Sequence, residues 1–140
     1  MSIFKHIKNW VQLFFKGEAP PSEQERQGQT TLPSITFHKV IVIENAPSND
    51  VLETGKIYCV APRQIAKWAI LVCPCGCHGI ITLSLQGIHN PHWSLSKSSI
   101  DLPTLYPSIW RDKGCFSHFW LKEGRVFWCP DTGNDPRFRK

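Results

Sequence analysis

Three cysteines on alternate positions, Cys73-Pro-Cys75-Gly-Cys77, constrain this chain more than any other feature. Thiols at that density need a shared purpose. The N-terminus lacks an uninterrupted apolar core followed by a small-residue cleavage site, so no secretory signal is read and a cytoplasmic chain with reduced thiols is expected. In a reducing compartment clustered cysteines point to metal or catalysis before disulfides. Thiolates suit Zn²⁺, which takes four nitrogen or sulfur ligands in a tetrahedron. The Pro and Gly between the cysteines permit a tight turn that gathers the sulfurs. A second half-site follows at Cys115-Phe-Ser-His118, spaced so that two side chains converge at a strand entrance. The candidate metal ligands are therefore Cys73, Cys75, Cys77, Cys115 and His118, five groups for four places. Either one is spare or one serves chemistry. A closed four-ligand site is a structural staple, the commoner outcome for Cys-rich sites, whereas three protein ligands leave a position for water. His78 adjoins the cluster as an outer partner. Cys59 reads as a small core residue, and Cys129 has no clear assignment.

Hydrophobic patterning divides the chain into four parts. Residues 1–17 carry apolar side chains at helical spacing (Ile3, Ile7, Trp10, Phe14) with lysines opposite, which predicts an amphipathic helix. Its apolar face would pack on its own domain or a partner, or lie on a membrane surface. Residues 18–34 are polar and proline-rich, a linker. Residues 35–132 alternate β-branched and aromatic runs with turn signals, predicting a small zinc-stapled β domain with hairpins. Within it "ITFHKVIVI", "GKIYCV", "KWAILV" and "GIITLSL" read as strands, with the cysteine loop joining the last two. "SHFWLKEGRVFWC" reads as two strands joined at Glu123-Gly124. "SKSSIDLPTLYPSIW" reads as loop, and residues 133–140 as an irregular basic tail. The expected class is mainly β preceded by one helix, α+β overall.

The net charge of +5 lies largely in the two tails, and no basic stripe with interleaved aromatics runs through the middle. Nucleic-acid binding is therefore not expected. No run reaches the ~20 apolar residues of a membrane-spanning helix.

The motifs "CPCGC", "TLYPSI" and "CFSHFWLKEGRVFWC", with the lead-in "ENAPSNDVLETGKIYCV", resemble the bacterial DUF6527 family over about residues 38–129. Ile57 stands where that family often has Leu, and His78 where Gly is frequent. The resemblance implies a peptidase beside bacterial ubiquitin-like conjugation genes, trimming the modifier's C-terminus or releasing it from targets. Its implied partners are a ubiquitin-like protein or its conjugates and the E1- and E2-like enzymes. It carries across Cys73, Cys75, Cys77, Cys115, His118, Ser108 and Ser117, with Glu44 at the acidic lead-in position.

Three functional readings follow. In the first, bound Zn²⁺ activates water, Glu44 takes the proton, and Ser108 or Ser117 donates to the developing oxyanion. The plain alternatives are an exposed strand-end carboxylate for Glu44, a turn hydroxyl for Ser108, and a loop-orienting one for Ser117. In the second, a thiolate not needed by metal attacks, with His78, His89 or His92 as base. In the third, the domain is a non-catalytic zinc-stapled module that binds a protein partner through its aromatic surface. An extended substrate tail would suit the edge of a β-sheet.

Overall fold

The computed structural model describes residues 31–138. Strands β1 (Lys39–Ile43), β2 (Lys56–Val60), β3 (Trp68–Val72) and β4 (Ile80–Ser84) form one sheet in the order β1-β2-β3-β4. The β1–β2 pair is parallel, and the others are antiparallel. Strands β5 (Ser94–Lys97), β6 (Pro103–Trp110), β7 (His118–Lys122) and β8 (Arg125–Trp128) form a second, fully antiparallel sheet in chain order.

Strand periodicity explains why the sheets meet. Alternate residues point to opposite faces. In the first sheet Ile57, Ala69, Leu71, Ile81 and Leu83 turn to one face, and in the second Leu105, Ile109, Phe119, Leu121 and Val126 turn to theirs. Together with Phe37 they make one core. The opposite face of the first sheet gathers Tyr58, Val60 and Ile70 in a smaller cluster with Ile41, Ile43 and Trp68 around it. That sheet is thus apolar on both faces, which is why its strands read as near-continuous hydrophobic runs.

The hairpin between β7 and β8 turns on Glu123 and Gly124, both with positive φ (46° and 75°), the pair of conformations of a type I′ turn. Gly124 is also where the chain entering the domain attaches. Its carbonyl accepts the N–H groups of Thr36 and Phe37, and its own N–H donates to Pro103. The Arg125 guanidinium reaches back to the Pro33 carbonyl.

The architecture corrects the expected α+β class. Among the described residues there is no α-helix, only three-residue 3-10 turns at Asn49–Val51, Pro62–Gln64 and Pro136–Phe138, so the described body is all-β. The helix expected at residues 1–17 lies outside the described residues. Among these, no helix is long and apolar enough to cross a membrane. A second difference concerns "SKSSIDLPTLYPSIW", which contains the longest strand, β6. Its prolines hid it. Pro103 occupies the first strand position and Pro107 lies where the register with β7 shifts, two places where a missing N–H is tolerated.

A Cβ on Gly124 would overlap the Phe37 carbonyl oxygen, and the φ is left-handed as well. Gly124→Ala is expected to cost at least about 2 kcal/mol in a urea melt. Gly133→Ala, also at positive φ (91°) but with open space around it, is expected to cost only about 1 kcal/mol.

Candidate active site and thiol cluster

Ser108 is placed by an irregularity in β6. Leu105 pairs with Leu121 and Ile109 with Phe119, so Tyr106, Pro107 and Ser108 together face the single residue Trp120. Extra residues in one strand bend it and re-aim a side chain. Here Ser108 and Trp110 fall on the outer face of the sheet, opposite the core residue Ile109. His118 begins β7 as the pairing partner of Trp110, so its side chain shares that face.

The Ser108 hydroxyl lies 3.1 Å from His118 Nε2, and His118 Nδ1 lies 2.6 Å from Asp131 Oδ1. A carboxylate accepts only, so Nδ1 carries the proton and Nε2 is left to accept from the hydroxyl. The imidazole is buried (3% exposed) and stacked on Trp110, ring centroids 4.2 Å apart and planes 2° from parallel. Asp131 sits in the turn after β8, which is pinned to β6 and β7 by several bonds. Cys129 N–H donates to the His118 carbonyl, His118 N–H to Thr132 Oγ1, Gly133 N–H to the Phe116 carbonyl, and the Trp110 indole to the Asn134 carbonyl.

The thiols gather on the other side of the same strand ends. Cys73 follows β3 and is buried, while Cys75 and Cys77 lie in the exposed loop to β4. Cys115 lies before β7. Cys73 Sγ is 3.5 Å from Cys75 Sγ and 3.7 Å from Cys115 Sγ, and all four sulfurs lie within 4.8 Å of one another. These four could hold a metal ion. The surroundings supply donors. Cys77 N–H points at Cys75 Sγ (3.4 Å) and Gly79 N–H at Cys77 Sγ (3.3 Å). Arg111 donates to Cys77 and Cys115 at 3.4 and 3.3 Å. Ser117 Oγ is 3.1 Å from Cys115 Sγ and 3.6 Å from Cys73 Sγ. A Cβ on Gly79 would meet the Arg111 guanidinium, which would have to swing away from its place beside the thiols. Burial pushes the Cys73 thiol up to about 12. At Cys115 burial also acts upward, but the Ser117 hydroxyl and backbone N–H and the Arg111 guanidinium outweigh it and bring the thiol down to about 6.

The five ligand candidates are thus divided. Cys73, Cys75, Cys77 and Cys115 come together, while His118 turns away to Ser108 and Asp131. A second group, His118, Cys129 and Asp131, also lies within metal-binding reach. An ion there would have to displace the Asp131 or Ser108 bond, since both ring nitrogens are engaged. Ser117 faces the thiols. Glu44 joins neither group. Its carboxylate accepts the Arg63 N–H at 3.1 Å, beside the Val60–Trp68 end of the first sheet. Cys73 lies beyond the other end of β3, roughly 16 Å of strand away. His89 contacts Ser84 Oγ through Nδ1 (2.5 Å), and His92 contacts the His89 carbonyl. Asp131 and Arg111 went unnoticed in the sequence. Asp131 falls just past the last expected strand, at the end of the 35–132 domain, and only the pairing of β7 with β8 brings it to His118.

A serine hydroxyl on an imidazole whose far nitrogen holds a carboxylate is the contact order of serine hydrolases. The chain belongs to the BubE family, described as bacterial ubiquitination-like system serine protease, whose family model matches residues 42–129. Comparison with curated proteins and with solved structures finds no match. The tie to bacterial ubiquitination-like systems expected from the sequence holds, on a family described by a serine rather than a metal.

In metal-free protein, iodoacetamide is expected to modify Cys115 well before Cys73. Thiolate forms as pH rises, so the Cys115 rate should climb through about pH 6 and level off. Arg111→Ala removes a cation from the thiolate and should move that midpoint upward, as read by mass spectrometry of the alkylated peptides.

Proposed function

We propose that this protein is a serine protease that processes or removes a ubiquitin-like modifier in its bacterial system, with Ser108 as nucleophile, His118 as general base and Asp131 as the group that orients it. The Ser108–His118–Asp131 hydrogen-bonded chain carries this reading. Ser108 Oγ attacks the scissile carbonyl while His118 Nε2 takes its proton. The imidazolium that forms is held by Asp131 at Nδ1 and by the face of Trp110, a cation against an aromatic ring. His118 then gives the proton to the leaving amine. Water, activated by the same nitrogen, hydrolyses the acyl-enzyme.

The thiol cluster suits Zn²⁺ as a structural staple. Four thiolates about 2.3 Å from a central ion lie about 3.8 Å apart, close to the separations of Cys73 from Cys75 and Cys115. Cys73, Cys75, Cys77 and Cys115 would hold the ion, and so tie the β3–β4 loop to the entrance of β7. Arg111 and Ser117 offset the thiolate charge. Four sulfur ligands would leave no position for a metal-activated water, and Glu44 would then have no catalytic part.

Ser108→Ala and His118→Ala should each lower kcat/KM on a ubiquitin-like precursor by roughly 10⁴-fold or more, and Asp131→Asn by about 10²–10⁴-fold. A fluorophosphonate should label Ser108. Glu44→Gln should cleave at the wild-type rate. Unchanged cleavage by Ser108→Ala would sink the serine mechanism. Absence of cleavage by wild type on any modifier of the same system would favour a zinc-stapled partner-binding module. A second measurement concerns the metal. Cys75→Ser should lower bound zinc and the melting temperature together, whereas rapid loss of activity on chelation with the fold intact would return the chemistry to the metal.

A further inference from the structure

Among the described residues the outer edge of β4 carries no further strand. There β4 is the last strand of its sheet, with β3 its one strand partner. Two bonds set the alternation of its ladder: Cys73 N–H to the Gly79 carbonyl, and Leu85 N–H to the Lys67 carbonyl. In the β3–β4 register those flank the pairs Leu71–Ile81 and Ala69–Leu83, so Ile81 and Leu83 bond to β3. Ile80, Thr82 and Ser84 then turn their N–H and C=O groups to the free edge. The Ser84 carbonyl accepts from Trp93 N–H, and the Arg111 guanidinium lies against Gly79. Between these two ends the backbone groups of Ile80 and Thr82 have no strand partner among the described residues.

That edge is one wall of a groove of about 590 Å³, and the run from Ile109 to Lys113 is the other. The facing wall continues β6 directly from Ser108. Trp93, which also lines the groove, donates its indole N–H to the Ser108 carbonyl (3.2 Å), and Trp110 in the wall stacks on His118. The groove thus shares Trp93 and Trp110 with the surroundings of Ser108 and His118.

We infer that the β4 edge at Ile80 and Thr82 is the substrate-docking strand, taking an extended polypeptide segment by backbone hydrogen bonds and leading it along β6 to Ser108. Unpaired donors and acceptors two residues apart fit a strand-like peptide, which offers the complementary set at the same spacing. The closed ends at Arg111 and Trp93 limit the paired stretch to a few residues. This inference rests on the serine-protease reading above.

The test uses the full chain and a fluorogenic peptide that spans the cleavage junction of the ubiquitin-like precursor. N-methylation is introduced one peptide bond at a time. Methyl groups at alternate positions should raise KM about tenfold, the effect of a lost hydrogen bond and a blocked approach, and the intervening ones should not. Thr82→Pro removes an edge donor at a position where proline is tolerated, and should raise KM similarly. Should that variant fail to fold, the methylation scan with wild-type protein still decides. A flat scan, or equal losses at consecutive positions, would overturn the edge. So would a concentration-dependent dimer that Thr82→Pro dissociates, since the edge would then serve a second copy. Fluorophosphonate labelling of wild-type Ser108 reads the triad separately. Its absence would defeat the protease reading, whereas labelling with a flat scan would defeat only the docking edge.

Discussion

The pairing of the end of β6 with the start of β7 is the interaction on which both sites depend. Trp110 lies opposite His118, and Arg111 N–H donates to the Ser117 carbonyl one step further on. This short ladder joins Ser108 and Trp110 to His118 on one face and Arg111 to Ser117 and Cys115 on the other. Core residues Ile109 and Phe119, paired beside it and almost fully buried, hold the ladder in register. A slip of one residue would turn His118 toward the thiols and Ser117 toward the solvent face, dismantling both arrangements at once.

Much of the fold was legible from hydrophobic alternation. Strands β2, β3 and β4, the cysteine loop between β3 and β4, and the Glu123-Gly124 hairpin stand where β-branched and aromatic runs meet Gly or Pro. What escaped was β6, because two prolines and four serines in and before it imitate a loop. Proline costs a ladder bond only where its N–H would have been used, and sequence alone does not reveal which side of a strand faces a partner. The α+β class failed for a different reason. It rested on residues 1–17, which lie outside the described residues, while the described body contains only short 3-10 turns.

The thiol site was more legible than the serine site. Cys73, Cys75, Cys77 and Cys115 announce themselves through residue type and local spacing. Ser108, His118 and Asp131 come from three segments and have no local signature. Ser108 and His118 attracted notice, but as an oxyanion donor and a metal ligand. The missing piece was Asp131. Without a carboxylate to engage Nδ1, a histidine one residue beyond Ser117 and three beyond Cys115 reads naturally as a fifth ligand.

The segment Cys115-Phe-Ser-His118 is better understood as two half-motifs interleaved than as one metal-binding unit. Cys115 and Ser117 are two residues apart and point the same way, Ser117 Oγ lying 3.1 Å from Cys115 Sγ. His118 is one step later and points the opposite way, as alternation in an extended chain requires. β6 shows the same division. Ser108 and Trp110 face the imidazole, and Arg111, the next residue, faces the sulfurs. The two sites therefore share a backbone but no side chain. An ion among the thiols would bear on the Ser108–His118–Asp131 chain only by fixing where the two strand ends begin, so in the proposed mechanism the cysteines would act on structure and the serine on chemistry. Five ligand candidates for four places thus reduce to four sulfurs on one face and a histidine whose ring is fully engaged on the other.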